Sequence, residues 1–179
     1  MRHGSKRSTL TFTTTFLSLL LPLLLLTACG SYRVMLGESV LYSPSGAPAT
    51  PSLLSDANLQ GCLNQVFITS GNNDPASVKL LACPSAGVQS LAGIGVLVNL
   101  EQLELSDNTV SDLSPLQNLR NLRVLSIRNN RIGNINTLLS LPILRFVALQ
   151  GNNAISCRQL KQLEEKLGNS LNRPGRCSN

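Results

Sequence analysis

From Val78 to Leu163 one aliphatic pattern returns every 22 residues. One copy reads Leu100, Leu103, Leu105, Asn108, Val110, Leu113, Leu116 and Leu119, and the next reads Leu122, Leu125, Ile127, Asn130, Ile132, Ile135, Leu138 and Leu141. A third begins Leu144, Val147, Leu149 and Asn152, then passes through Ala154, Cys157, Leu160 and Leu163 into a helical ending. A weaker copy precedes them at Val78, Leu81, Cys83, Ala86, Val88, Leu91, Ile94 and Leu97. A period of this length predicts a solenoid of about four turns, each burying the apolar side of its neighbour. The Leu103-x-Leu105 alternation has the period of a strand, which argues against a pair of helices per repeat. No turn is expected to fold alone, because ordering its backbone costs more than burying its own aliphatic side chains returns.

Asn108, Asn130 and Asn152 share one phase of the repeat. An amide side chain both donates and accepts, so it can satisfy backbone groups in the bend after each strand, where an unpaired buried donor costs about 1–3 kcal/mol. These three residues are expected to form a structural ladder.

The run Leu100-Glu-Gln-Leu103-Glu-Leu105-Ser-Asp-Asn108-Thr-Val110-Ser-Asp-Leu113-Ser-Pro115-Leu116, continuing through Leu119 and Leu122, resembles the bacterial internalin-type leucine-rich repeat. The resemblance extends over roughly residues 78–163. It implies an α/β solenoid with short parallel strands on a concave face, right-handed coiling and tight 3₁₀-like or irregular backs. A 22-residue turn leaves little room for a full outer helix, in agreement with the Ser114-Pro115 corner. Cys83 and Ala86 depart from the pattern in the first turn.

At the amino end, Arg2, Lys6 and Arg7 precede an apolar run from Phe16 to Leu26, followed by Thr27-Ala28-Cys29-Gly30. This is the layout of a secretion signal. The run is too short for a membrane span of about 20 residues and is broken by Pro22. The Leu-Thr-Ala-Cys ending resembles a bacterial lipobox, which implies cleavage before Cys29 and lipid on its thiol. Several acyl chains on one residue would make the membrane anchor effectively permanent. Gly30 after the lipidated position resembles the sorting of Gram-negative lipoproteins to the outer membrane, facing the periplasm. Removing residues 1–28 takes three of the fifteen cations and none of the nine carboxylates, which leaves a net charge of +3. Much of the basicity therefore belongs to the signal, and nucleic acid is not an expected partner.

The remaining four cysteines form an even set in an exported chain, which suggests two disulfides. Cys62 and Cys83 flank the first turn, and Cys157 and Cys177 flank the last. Pairing across the stack would violate the roughly 5.5–6 Å Cα separation of a disulfide, so the expected bonds are Cys62–Cys83 and Cys157–Cys177. Each closes a loop worth on the order of 3 kcal/mol in the chain-entropy model. There is no Cys-x-x-Cys, and His3 lies in the signal, so no metal site is expected.

Both ends of the array carry helical patterns suited to capping it. Asp56 is a candidate N-cap before Leu59, Cys62, Leu63 and Val66; Ser156 with Gln159 forms a capping-box pattern before Cys157, Leu160, Leu163 and Leu167, ending near Gly168. The expected organisation is a signal at 1–28, the lipidated cysteine and a tether at 29–52, an amino cap at 53–77, repeats at 78–156 and a carboxyl cap at 157–179. The tether reading rests on the Pro-, Ser- and Gly-rich stretch at 43–52, although Val34-Met35-Leu36 and Val40-Leu41-Tyr42 are apolar pieces within it.

In such a repeat the non-leucine strand positions face the concave surface. The rows are Leu80, Gln102, Val124 and Phe146; then Ala82, Glu104, Ser126 and Ala148; then Ser106, Arg128 and Gln150. Gln102, Glu104, Val124, Ser126, Arg128 and Phe146 make a mixed apolar and charged strip of the kind protein interfaces use, and are the expected partner-binding residues. A cluster of Arg120, Arg123, Arg128, Arg131 and Arg145 is a second candidate surface, for an anionic lipid, polysaccharide or acidic protein. No residue is a catalytic candidate: the chain after the signal has no histidine for a Ser-His-Asp or Cys-His arrangement, and it carries no phosphate loop. No cofactor is expected. The reading is a monomeric, lipid-anchored envelope domain that binds a protein not identified by sequence; its rival is a structural envelope lipoprotein without a discrete ligand. Cys29→Ser is expected to abolish labelling of the protein by a fatty-acid analogue in cells, and persistent labelling would contradict the anchor.

Overall fold

The computed structural model describes residues 52–177, and the backbone of 34–36 and 39–42. The expected signal, Cys29 and most of the expected tether lie outside the described residues. Within that tether, β1 (Val34–Leu36) and β2 (Ser39–Tyr42) pair antiparallel, with Met35 opposite Val40 and Leu36 opposite Ser39.

The second unit is built on a five-stranded parallel sheet, ordered β3 (Leu80–Ala82), β4 (Gln102–Glu104), β5 (Val124–Ser126), β6 (Phe146–Ala148) and β7 (Leu171–Asn172). The pairing register repeats the sequence period: Leu80 lies opposite Gln102, Gln102 opposite Val124, and Val124 opposite Phe146. Behind the strands the core is a stack of equivalent aliphatic side chains. Leu81, Leu103, Leu125 and Val147 are at most 1% exposed. The returns on the other side are short, as a 22-residue turn requires: 3₁₀ helices at Ile94–Val96 and Ser114–Asn118, and a single α-helical turn, α2, at Asn136–Ser140. Asp112 sets the second of these, its carboxylate accepting both the N–H and the hydroxyl of Ser114.

Adjacent turns are joined through the three asparagines. Asn130 Oδ1 accepts from the Val110 N–H of the preceding turn at 2.9 Å, while its Nδ2 donates to the carbonyls of Leu105, Ile127 and Arg128. Asn108 does the same with Val88 N–H and the carbonyls of Cys83, Leu105 and Ser106, and Asn152 with Ile132 N–H and the carbonyls of Ile127 and Leu149. The residue before this phase holds positive φ in every turn: Ser85 at 53°, Asp107 at 60°, Asn129 at 50° and Gly151 at 81°. At Gly151 the fit is tightest, because a Cβ there would meet the Asn129 backbone at 2.9 Å.

α1 (Ala57–Ser70) precedes the sheet and α3 (Cys157–Leu167) follows β6. Asp56 caps α1 by accepting from the Asn58 and Leu59 N–H groups, and its second oxygen accepts from Gln89 and Ser90 in the first turn. Partial burial pushes the Asp56 carboxyl up, but these four backbone donors outweigh it and hold the group below its ordinary value. The buried stripe of α1 is Leu59, Leu63 and Phe67, rotated from the expected one; Cys62 and Val66 lie half-buried beside it. Gln60 accounts for the rotation: it turns inward, where its Oε1 accepts from the Leu53 and Leu54 N–H groups. In α3 the Ser156 hydroxyl accepts from Gln159 N–H, but Gln159 reaches Asn134 and Asn136 with its amide instead of completing a capping box. The repeat phase also slips here, with Ile155 buried and Ala154 exposed. Cys62 is bonded to Cys83 and Cys157 to Cys177, with Cα separations of 5.9 and 5.7 Å.

Lys166, on α3, donates to the carbonyls of Leu138, Leu139 and Leu141, closing the carboxyl end of α2 with a cation where the helix dipole favours one. Asn130→Ala is expected to strand the Val110 N–H and several carbonyls, costing about 3 kcal/mol or more. Chemical denaturation checks this, and a loss below about 1 kcal/mol would contradict a bonding role for the ladder.

Candidate partner-binding face

Among the described residues of this second unit, no layer of secondary structure covers the outer side of the strands. Along its first row Leu80 is 53% exposed, Gln102 is exposed, and Val124 and Phe146 are half-buried. The second row closes progressively, from exposed Ala82 and half-buried Glu104 to Ser126 at 7% and Ala148 at 0%. In the third, Ser106 is 8% exposed, Arg128 is exposed and Gln150 is half-buried.

Ser126 therefore falls outside the accessible strip. Its hydroxyl lies 3.0 Å from that of Ser106, and both serines hydrogen-bond toward the Glu104 carboxylate, whose Oε1 accepts the Ser106 N–H at 2.7 Å. Partial burial pushes the Glu104 carboxyl up, yet the hydroxyls, that N–H and the nearby Arg128 charge together hold it below its ordinary value. Glu104 is thus a fixed negative charge at neutral pH, with a guanidinium beside it. The accessible strip consists of Leu80, Gln102, Glu104, Val124, Arg128 and Phe146. Leu80 was legible as a row member, but its exposure follows from being on the first strand.

Charged residues also repeat at the mouths of the strands. Lys79 Nζ and Arg123 Nε lie 3.7 and 3.6 Å from the two Glu101 oxygens, and Arg145 occupies the same phase one turn on. These pairs are well exposed and contribute little to stability. Asn99 and Asn121 form an outer ladder there, donating to Ala76 and Val98 carbonyls at 2.9 and 3.1 Å. Their 22-residue spacing is visible in the sequence. A cavity of about 350 Å³ is lined by Lys79, Asn99, Glu101, Asn121 and Arg123, and another of about 470 Å³ lies over the Cys157–Cys177 bond among Lys161, Glu164, Glu165, Arg173 and Arg176. Both are walled by polar and charged groups, and in the second Arg173 is already paired with Glu164 at 3.0 Å. Among the described residues no group of three or more His, Cys, Asp and Glu side chains is arranged to hold a metal ion.

A parallel sheet whose first four strands advance by 22 residues, with an asparagine closing three of the bends that follow them, defines a leucine-rich-repeat solenoid. Residues 98–140 match the family model described as leucine-rich repeats, in two copies. Among solved structures, an internalin (InlF) from Listeria monocytogenes is 31% identical, with a TM-score of 0.57 over 68% of this chain and 38% of its own. Internalin C2 from the same species is 27% identical, with a TM-score of 0.52 over 57% of this chain and 48% of its own. The chain thus spans less than half the length of either. No curated protein matches this chain. The likeness supports an internalin-type leucine-rich-repeat domain.

Proposed function

We propose that this protein is a lipid-anchored component of the bacterial envelope whose repeat domain binds another protein through its concave face. The observation that carries the reading is the row Leu80, Gln102, Val124 and Phe146, in which apolar and polar side chains stand on a rigid sheet with at least partial access to solvent. Mixed surfaces of this kind suit protein partners: the apolar groups supply burial energy and the charges supply register. Glu104 and Arg128 complete the strip.

The location rests on the Leu-Thr-Ala-Cys29 ending of the apolar amino-terminal run. In this reading residues 1–28 are removed, Cys29 carries the lipid, and the following residues hold the domain near the membrane, which in a Gram-negative cell is the outer membrane seen from the periplasm. α1 and α3 close the two apolar ends of the stack, which suits a domain acting as a monomer. The chemistry of the strip asks for no cofactor.

The test pairs Val124→Glu with Phe146→Glu in the full chain, followed by cross-linking and co-purification from detergent-solubilised envelopes, with a thermal melt to verify folding. Loss of a co-purified protein with folding retained is the expected result. Because Val124 and Phe146 are half-buried, Leu80→Glu provides a second, fully surface variant. An unchanged set of co-purified proteins in both would remove the concave face as the binding site.

A further inference from the structure

Charge is strongly segregated along the solenoid. Residues 52–119 carry Lys79 as their only cation against six carboxylates, a net of −5, whereas residues 120–177 carry ten cations against Glu164 and Glu165, a net of +8. The division falls across the concave face itself. β4 ends on Glu104 and is flanked by Glu101 and Asp107, while β5 and β6 are flanked by Arg123 and Arg145 at their mouths and β5 by Arg128 at its exit.

Resting on the concave-face reading above, we propose that the partner supplies an extended acidic segment, seated over β5 and β6 with an apolar side chain on Val124 and Phe146 and carboxylates at both ends. Two features argue for it. First, the cations bracket the apolar pair: β5 is extended over Val124–Ser126, with Arg123 one residue before it and Arg128 two after it, so the two basic ends stand roughly 15 Å apart along the chain. An extended segment spans that distance in about five residues, so acidic side chains at its first and last positions and an apolar one at its centre fall on the same face. Second, these cations form no close ion pair. Among the described residues Arg145 and Arg128 have no carboxylate within salt-bridge distance, and Arg123 has only the loose Glu101 contact at 3.6 Å. An acidic ligand would supply them with closer partners than Glu101 and Glu104 do.

The acidic turn at β4 sets the direction of the segment. Glu104 repels its carboxylates on that side, so the acidic ends align along β5 and β6 and do not cross toward β4.

Three probes test the assignment on the full chain: a labelled peptide with paired glutamates bracketing a central phenylalanine, the same peptide with lysines in place of the glutamates, and phosphatidylglycerol vesicles. Anisotropy and co-sedimentation read binding at low salt and at roughly 0.3 M salt, where charges are screened. The glutamate peptide is expected to bind and to weaken with salt. Arg128→Gln combined with Arg145→Glu should weaken it roughly tenfold or more, while Arg158→Glu on α3 leaves it unchanged. The lysine peptide and the vesicles should not bind. No binding of the glutamate peptide, equal binding of the lysine peptide, indifference to the arginine pair, or capture of vesicles through that pair would each overturn the proposal. If the glutamate peptide fails while Val124→Glu with Phe146→Glu still removes a co-purified protein, the concave-face reading stands and the acidic segment does not.

Discussion

The structure depends on hydrogen bonds between turns more than on any contact within one. Each ladder asparagine closes its own bend through nearby carbonyls and reaches back to the N–H and carbonyl groups of the turn before it. Removing one turn would leave both sides with buried unpaired groups. The aliphatic stack behind the strands obeys the same rule, since Leu103 and Leu125 are excluded from water only because their neighbours stand in register. Stability is therefore collective, and the exposed face of the sheet is free to vary without endangering it.

A ladder of this kind has an unavoidable problem at its ends, where one partner is missing. Ala86 stands at the asparagine phase of the first turn, and it has no amide to offer. α1 compensates with other groups: Asn58 donates to the Gly87 carbonyl, and Asp56 accepts from Gln89 and Ser90. At the far end β7 extends the sheet, with the Leu149 N–H donating to the Asn172 carbonyl, and Lys166 collects the carbonyls at the end of α2. The two disulfides fall in these same terminal regions.

The repeat period made the sheet legible almost residue by residue, because leucine spacing fixes which positions face inward and hence which pair across turns. Other features left no such trace. The left-handed position is filled by Ser85, Asp107, Asn129 and Gly151, four residue types that share a backbone conformation and no side-chain property. Ser126 reads as an outward strand position, but its burial depends on Ser106 and Glu104, which are neighbours only in the folded sheet. β7 follows β6 at a spacing of 24 residues, with α3 between them, so the 22-residue template passes over it. Phe67 joins the buried face because α1 is rotated from the stripe through Cys62 and Val66, with Gln60 turned inward. The candidate face was legible as rows, while its electrostatic division required the rows to be placed side by side.

Rigidity and exposure are thus separated: the ladder and core hold the strands, and the other face carries the charges and apolar groups available to a partner. The central claim is that the turns stand only together. Native-state hydrogen exchange at the amides of Val88, Val110 and Ile132, each bonded to an asparagine of the next turn, tests it most directly. One common opening free energy at all three, equal to that of global unfolding, is the predicted result. Separate values, with one amide exchanging through a local opening well below the global free energy, would contradict it.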